Sequence, residues 1–300
     1  MSAGEIVLRD IVQRLESDLS RCGIMYHIFY RKKSTQSIKR KIEIKEENYR
    51  ENNKKMQDLL ALRITLYFTD DVELVHTYLK NQPNFDSEEV DEDKVDVFRP
   101  KRLNIVLRVP EDRKNDMRAA IQDTGFPDLI DSTYEVQIRT ILSEGWHEVE
   151  HDLRYKCQKE WNEYPEEARM LNGIYATLES SEWSMLTLFD KLAHSQYKKK
   201  SWDSMIRNKM RVRFSDKSLS PEIKDFLSNN PVVVKELFRV NRSDILKTVL
   251  ESSFSYPLTY DTVIHLMNHI SVKNPELGKL EDEILKKDMD ILFGDLREVQ

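Results

Sequence analysis

Charged and hydroxyl side chains gather at four places in this chain, and each suggests chemistry on a polyanion. Residues 31–41, RKKSTQSIKRK, hold Arg31, Lys33, Lys39, Arg40 and Lys41 beside the hydroxyls of Ser34, Thr35 and Ser37, with no acid among them. Cations with hydroxyl donors suit a polyphosphate, although a solvated basic helix face has the same composition. Asp58 stands directly before the apolar run LLALRITLYF, 59–68, which carries Arg63 inside it. An acid at a strand edge is a common Mg²⁺ ligand in phosphoryl transfer; a capping Asp and a snorkelling Arg are the plain alternative. In TYEVQIRT, 133–140, Glu135, Gln137 and Arg139 alternate with Val136 and Ile138. Such a row can floor a site or be the wet face of an antiparallel sheet. In WHEVEHDLRYK, 146–156, a helix would put Trp146 and Glu150 on one side and His147, His151 and Tyr155 on another.

That last segment satisfies H-E-x-x-H through His147, Glu148 and His151, the helix of zinc metalloproteases. Two His four apart could hold Zn²⁺ with Glu148 as general base, but a third ligand is not evident downstream. His265 and His269 are also four apart, with no acidic or cysteine partner at suggestive spacing, so a surface or core pair is expected there. Neither G-x-x-x-x-G-K-[ST] nor G-x-G-x-x-G occurs, which argues against P-loop and Rossmann enzymes, and G-x-S-x-G is missing too.

The elements that must position these groups follow from pattern. With 300 residues, two domains are expected, and with only 7 glycines, helix is favoured over an all-β fold. Residues 3–30 read as helix, 59–68 as a buried strand, 70–80 as an amphipathic helix behind an Asp cap, and 84–94 as an acidic loop. Residues 101–109 alternate as a strand, with Leu103, Ile105, Leu107 and Val109 on one face and Arg102, Asn104, Val106 and Arg108 on the other. A short helix over 111–124, a strand over 133–140 and long helices over 141–157 and 165–195 complete an α+β domain. Residues 198–215 read as a basic linker, and from Ser220 to Phe293 the pattern is helical, which makes the domains 1–197 and 216–300. The net charge of -6 offers no global attraction to nucleic acid or anionic membrane. No apolar run is long enough to span a bilayer, no signal peptide is visible, and two distant cysteines cannot form a disulfide framework, so a cytoplasmic protein is expected.

Together the four charged segments resemble the synthetase domain of the RelA/SpoT family, which makes the alarmones pppGpp and ppGpp. Arg31, Lys33, Ser37 and Lys41 fit its R-x-K-x-x-x-S-x-x-x-K segment. Asp58 and Arg63 fit D-x-x-G-x-R, with Ala61 in place of the Gly. Glu135, Gln137, Arg139 and Thr140 fit E-[IV]-Q-x-R-[TS], and Trp146, Glu150, His151, Tyr155 and Lys156 fit W-x-x-x-E-H-x-x-x-Y-K. The resemblance covers about residues 20–195 and is similar to the small synthetases, toxic ones included; it accounts for HEVEH without zinc. It implies a nucleotidyltransferase-like mixed sheet flanked by helices, followed here by a small all-α domain.

It also implies a mechanism, in which ATP donates its β,γ-diphosphate to the 3′-hydroxyl of a guanine nucleotide and AMP leaves. By carry-over Arg31 and Arg63 would sandwich the adenine, Lys33, Ser37 and Lys41 would hold the triphosphate, and Asp58 would bind Mg²⁺. Glu135 would share the ion or take the hydroxyl proton, Gln137 and Arg139 would orient ribose and phosphate, and His151 and Lys156 would lie at the rim. One departure stands out. The family's G-Y-R-S-x-H strand, whose Tyr stacks on guanine, is replaced by Arg102-Leu103-Asn104-Ile105-Val106. Arg102, Asn104 and Arg108 could still grip an anionic acceptor. The alternatives are transfer to another acceptor, an adenine nucleotide or the 3′ end of tRNA, as a growth-inhibiting toxin or defence enzyme, and a degenerate nucleotide-binding regulator. The helical tail is a candidate surface for a homo-oligomer or protein partner.

Overall fold

Helix α1 (Ala3–Arg21) buries Val7, Leu8, Ile11, Val12, Leu15 and Leu19, one apolar stripe at helical spacing. The computed structural model that shows this describes residues 2–44, 49, 54–91 and 103–294. The chain then turns at Gly23, whose φ of +66° lies in the left-handed region that glycine tolerates. The helix expected to reach residue 30 therefore stops at Arg21, and Tyr26–Lys32 is strand β1. The reason is visible in YHIFY, an aromatic and β-branched run that suits an extended chain.

Next come α2 (Thr35–Ile44), β2 (Leu60–Leu66) and α3 (Thr69–Lys80). The residue before α3 is Phe68 and makes no side-chain cap, so the expected Asp cap is not formed; Asp70 and Asp71 lie in the first turn instead. Strand β3 (Phe85–Val90) occupies most of the stretch expected as an acidic loop, whose residues 92–94 lie outside the described ones. Its charge is neutralised from α3, where His76 and Lys80 contact Glu88 at 2.8 and 2.5 Å. Strand β4 (Leu103–Arg108), α4 (Lys114–Gln122), β5 (Thr133–Thr140) and α5 (Ile141–Leu153) follow. A 3₁₀ turn at Tyr155–Cys157 and the short α6 (Gln158–Trp161) lead into the long α7 (Pro165–Lys198).

The described strands form one sheet in the order β1-β2-β5-β4-β3. The central pair, β2 and β5, is parallel; the other neighbours are antiparallel. Helices flank this mixed sheet and an all-helical region follows it, so the α+β class expected from the sequence holds.

The chain divides into two units, residues 1–17 with 26–182 and residues 18–25 with 183–300. The division falls within α7, and the segment expected as a basic linker holds α8 (Trp202–Met210), whose Trp202, Met205, Ile206 and Met210 are buried. Its lysines and arginines mask a core face of four residues. The second unit continues with α9 (Pro221–Asn229), α10 (Pro231–Arg239), α11 (Arg242–Glu251) and α12 (Tyr260–Met267). A π-turn (Asn268–Val272), α13 (Pro275–Gly278) and α14 (Glu283–Phe293) complete it. His265 and His269 do have an acidic partner there: the buried Glu281 accepts from His269 Nε2 at 2.8 Å and lies 3.3 Å from His265 Nδ1. Among the described residues, no helix is long and apolar enough to cross a membrane.

Candidate active site

Register places the polar residues of four adjacent strands, β1, β2, β5 and β4, in rows across one face of the sheet. Arg31 pairs with Ala61, Ala61 with Glu135, and Glu135 with Val106. One step along, Phe29 pairs with Arg63, Arg63 with Gln137, and Gln137 with Asn104. Cross-strand partners share a face, so side chains from β1, β2, β5 and β4 converge although 106 positions separate Arg31 from Gln137 in the chain. Hydrogen bonds join them: Gln137 Nε2 and Asn104 Nδ2 donate to Glu135 Oε1 at 2.8 and 3.3 Å. Arg63 Nε and Arg139 donate in turn to Gln137 Oε1 at 3.3 and 3.5 Å.

Helix α5 supplies the acids that hold the two guanidinium groups. Thr140 caps it by accepting from Ser143 N at 3.1 Å, which fixes where its first turn begins. Glu144, buried in that turn, takes Arg63 on Oε1 and Arg139 on Oε2, the latter at 3.1 Å. Glu148, one turn on, also takes Arg63 and stays largely exposed. Burial works against the Arg63 charge, yet Glu148 and Glu144 raise its pKa above the ordinary value. His147, between the acids, is pushed down to about 4 by burial and by Arg139 and Arg63. It is therefore neutral at pH 7.

At the far end of β2, Asp58 forms a second cluster. Its Oδ2 accepts from Lys33 Nζ at 2.5 Å and Lys41 Nζ at 2.7 Å, while its buried Oδ1 makes no hydrogen bond. Burial alone would raise the Asp58 pKa, but Lys41 and Lys33 hold it below the usual carboxylate range. Lys41 is raised despite its burial, because Asp58 faces it; burial lowers Lys33. Ser37 lies in the first turn of α2, its N–H and hydroxyl both bonded to Ser34 Oγ.

A pocket of about 420 Å³ opens over this face, lined by Phe29, Tyr30, Arg31, Ala61, Leu62, Arg63, Gln137, Glu144 and Glu148. Of the residues singled out in the sequence, Arg31, Arg63 and Gln137 line it. Glu135, Asn104 and Arg139 join it through hydrogen bonds, and Lys33, Lys41 and Asp58 cluster together. Three residues are held elsewhere. Arg108 pairs with Asp86 at 3.1 Å, His151 with Asp152 at 3.0 Å, and Lys156 with the same Asp152 at 2.5 Å. Arg102 lies outside the described residues. Sequence reasoning missed Phe29, Tyr30 and Glu144 as site residues and placed Glu148 only as the general base of a zinc protease. The aromatic pair sat in a stretch read as helix. The two acids carry a usable signal, an i, i+4 pair in the first two turns after a strand that ends on Arg139 and Thr140.

Cations, amides and carboxylates converging on one face of a mixed sheet define the class, an α+β domain whose face suits a charged, planar ligand. Residues 30–160 match the model of the region found in RelA / SpoT proteins. No curated protein matches the chain. Among solved structures, small alarmone synthetase 1 from Bacillus subtilis is 21% identical, with a TM-score of 0.42 over 61% of this chain and 92% of that one. Small alarmone synthetase 2 of the same organism is 21% identical, with a TM-score of 0.43 over 61% and 94%. A GTP pyrophosphokinase family protein from Streptococcus pneumoniae is 20% identical, with a TM-score of 0.43 over 61% and 86%.

Proposed function

We propose that the first unit is a diphosphotransferase of the (p)ppGpp-synthetase type, moving the β,γ-diphosphate of ATP to the 3′-hydroxyl of a guanine nucleotide. The observation that carries this reading is the convergence of Arg31, Arg63 and Gln137 around one pocket, with Glu135 hydrogen-bonded behind them. An adenine between two guanidinium faces gains cation–π attraction on both sides, and Ala61 between them leaves room for it. Lys33, Lys41 and Ser37 would receive the phosphates, Lys33 and Lys41 trading Asp58 for phosphate oxygens. The 3′-oxygen attacks the β-phosphorus. The bond from that phosphorus to the bridging α–β oxygen breaks and AMP departs with the electron pair. The hydroxyl proton passes to Glu135, whose Oε1 is fixed by Gln137 and Asn104. Asp58 and Glu135 carry hard oxygen donors, and the buried Oδ1 of Asp58 makes no hydrogen bond, so these two would hold Mg²⁺. That ion, when bound, supplies charge neutralisation on the transferring phosphates.

A second reading keeps the transfer and changes the acceptor to an adenine nucleotide or a tRNA 3′ end. It is favoured by β4, which sets Val106 beside Glu135 and has no aromatic side chain to stack on a guanine among its described residues. Transfer from γ-labelled ATP with Mg²⁺, to GTP, GDP, ATP, ADP and deacylated tRNA in parallel, tests both. A labelled product that disappears in Glu135→Gln supports the reaction, and its identity names the acceptor. Bound ATP with no labelled acceptor would leave only a nucleotide-binding regulator.

A further inference from the structure

Resting on the reading that this pocket holds the donor base, we propose that Glu148 reads that base, selecting a 6-aminopurine over a 6-oxopurine. Two other polar side chains that line the pocket, Gln137 and Glu144, are already committed. Gln137 gives Nε2 to Glu135 and receives Arg63 and Arg139 on Oε1. Glu144 uses one oxygen on Arg63 and the other on Arg139. Glu148 gives only Oε1 to Arg63, lines the pocket, and has a side chain 56% exposed at its mouth.

A guanidinium binds carboxylates through its N–H edge and a base through its face. Arg63 can therefore keep both acids and stack at the same time. A base on that face lies one van der Waals layer from the edge that Glu148 holds, within reach of its second oxygen. An ionised carboxylate only accepts hydrogen bonds. It is favourable to an exocyclic amino group and repels the lone pairs of an exocyclic oxygen. The Arg63 hydrogen bond, more than any other contact, keeps Glu148 ionised well below neutral pH. The same α5 geometry thus orients the stacking arginine through Glu144 and inspects its ligand through Glu148.

The test is equilibrium binding of ATP and inosine 5′-triphosphate to the full chain without acceptor, so that it does not depend on turnover. The wild type is expected to bind ATP about fivefold tighter, the worth of one partly exposed hydrogen bond. In Glu148→Gln, whose amide both donates and accepts, and in Glu148→Ala, which does neither, the ratio should fall towards one. Glu144→Gln should weaken both ligands together and keep the ratio, because both its oxygens hold arginines, Arg63 and Arg139, and neither faces the base. A wild type that does not discriminate, or a ratio unmoved in both Glu148 variants, overturns the proposal. Selective ATP binding that vanishes with Glu148, in a chain that transfers no diphosphate, supports it and sinks the reaction. No binding of ATP sinks both.

Discussion

Glu135 and Asp58 are both acids near β2 and β5, but their surroundings differ. Glu135 Oε1 is held by two neutral amides, those of Gln137 and Asn104. Glu135→Gln should lower the rate of transfer by about a hundredfold or more with little change in ATP affinity, the signature of a group acting in the transition state. Asp58 is neutralised by two lysines. Its replacement by Asn should raise the Mg²⁺ requirement and leave Lys33 and Lys41 repelling each other, read as a higher KM for ATP. His147 gives a pH prediction. Its folded value of about 4 lies below the ordinary 6.5, so between these values the unfolded chain binds the extra proton. Native stability should fall as pH drops from 6.5 towards 4, and His147→Gln should flatten that slope in denaturant titrations at several pH values.

At the scale of elements, the junction of β5 and α5 decides whether the acids meet the arginines. Thr140 caps α5 and also donates to the buried Glu182 of α7, whose pKa burial raises. Thr140→Ala should cost about 1–2 kcal/mol in chemical denaturation, through a lost cap and a buried carboxyl left without its donor. This junction also shows what was legible in the sequence. Alternation in TYEVQIRT and the apolar run around Arg63 were enough for β5 and β2, because strands with a buried face declare their period. Helix α1 ran on too far in the sequence reading, because its stripe continues into residues that tertiary pairing with β2 makes extended. Strand β3 was unreadable for a similar reason: FDSEEV has the composition of a loop and becomes a strand through its ladder with β4 and its ion pairs to α3. By sequence alone Glu148 fits the base position of H-E-x-x-H. Only the register that lays Arg63 next to Gln137 shows which cation it serves.

At the scale of the whole molecule, the second unit carries its own buried electrostatics. Glu281 has a side chain with no exposure, and His269, equally buried, is its closest partner. His269→Leu should destabilise the chain by about 3 kcal/mol, because it removes the closest partner of a buried carboxylate and leaves it only His265, and Glu281→Gln in the same background should recover part of the loss. Equilibrium unfolding of the single and double variants measures the coupling. The first unit owes its site to the parallel pairing of β2 with β5, strands separated by more than 60 residues that hold α3, β3, β4 and α4. A chain leaving the ribosome exposes Arg31 and Arg63 well before it exposes Glu135, and α5 follows directly after β5. No chain that ends before β5 carries the Glu135 carboxylate beside Arg31 and Arg63. A truncation before β5 is therefore expected to be silent in the transfer assay rather than weakly active.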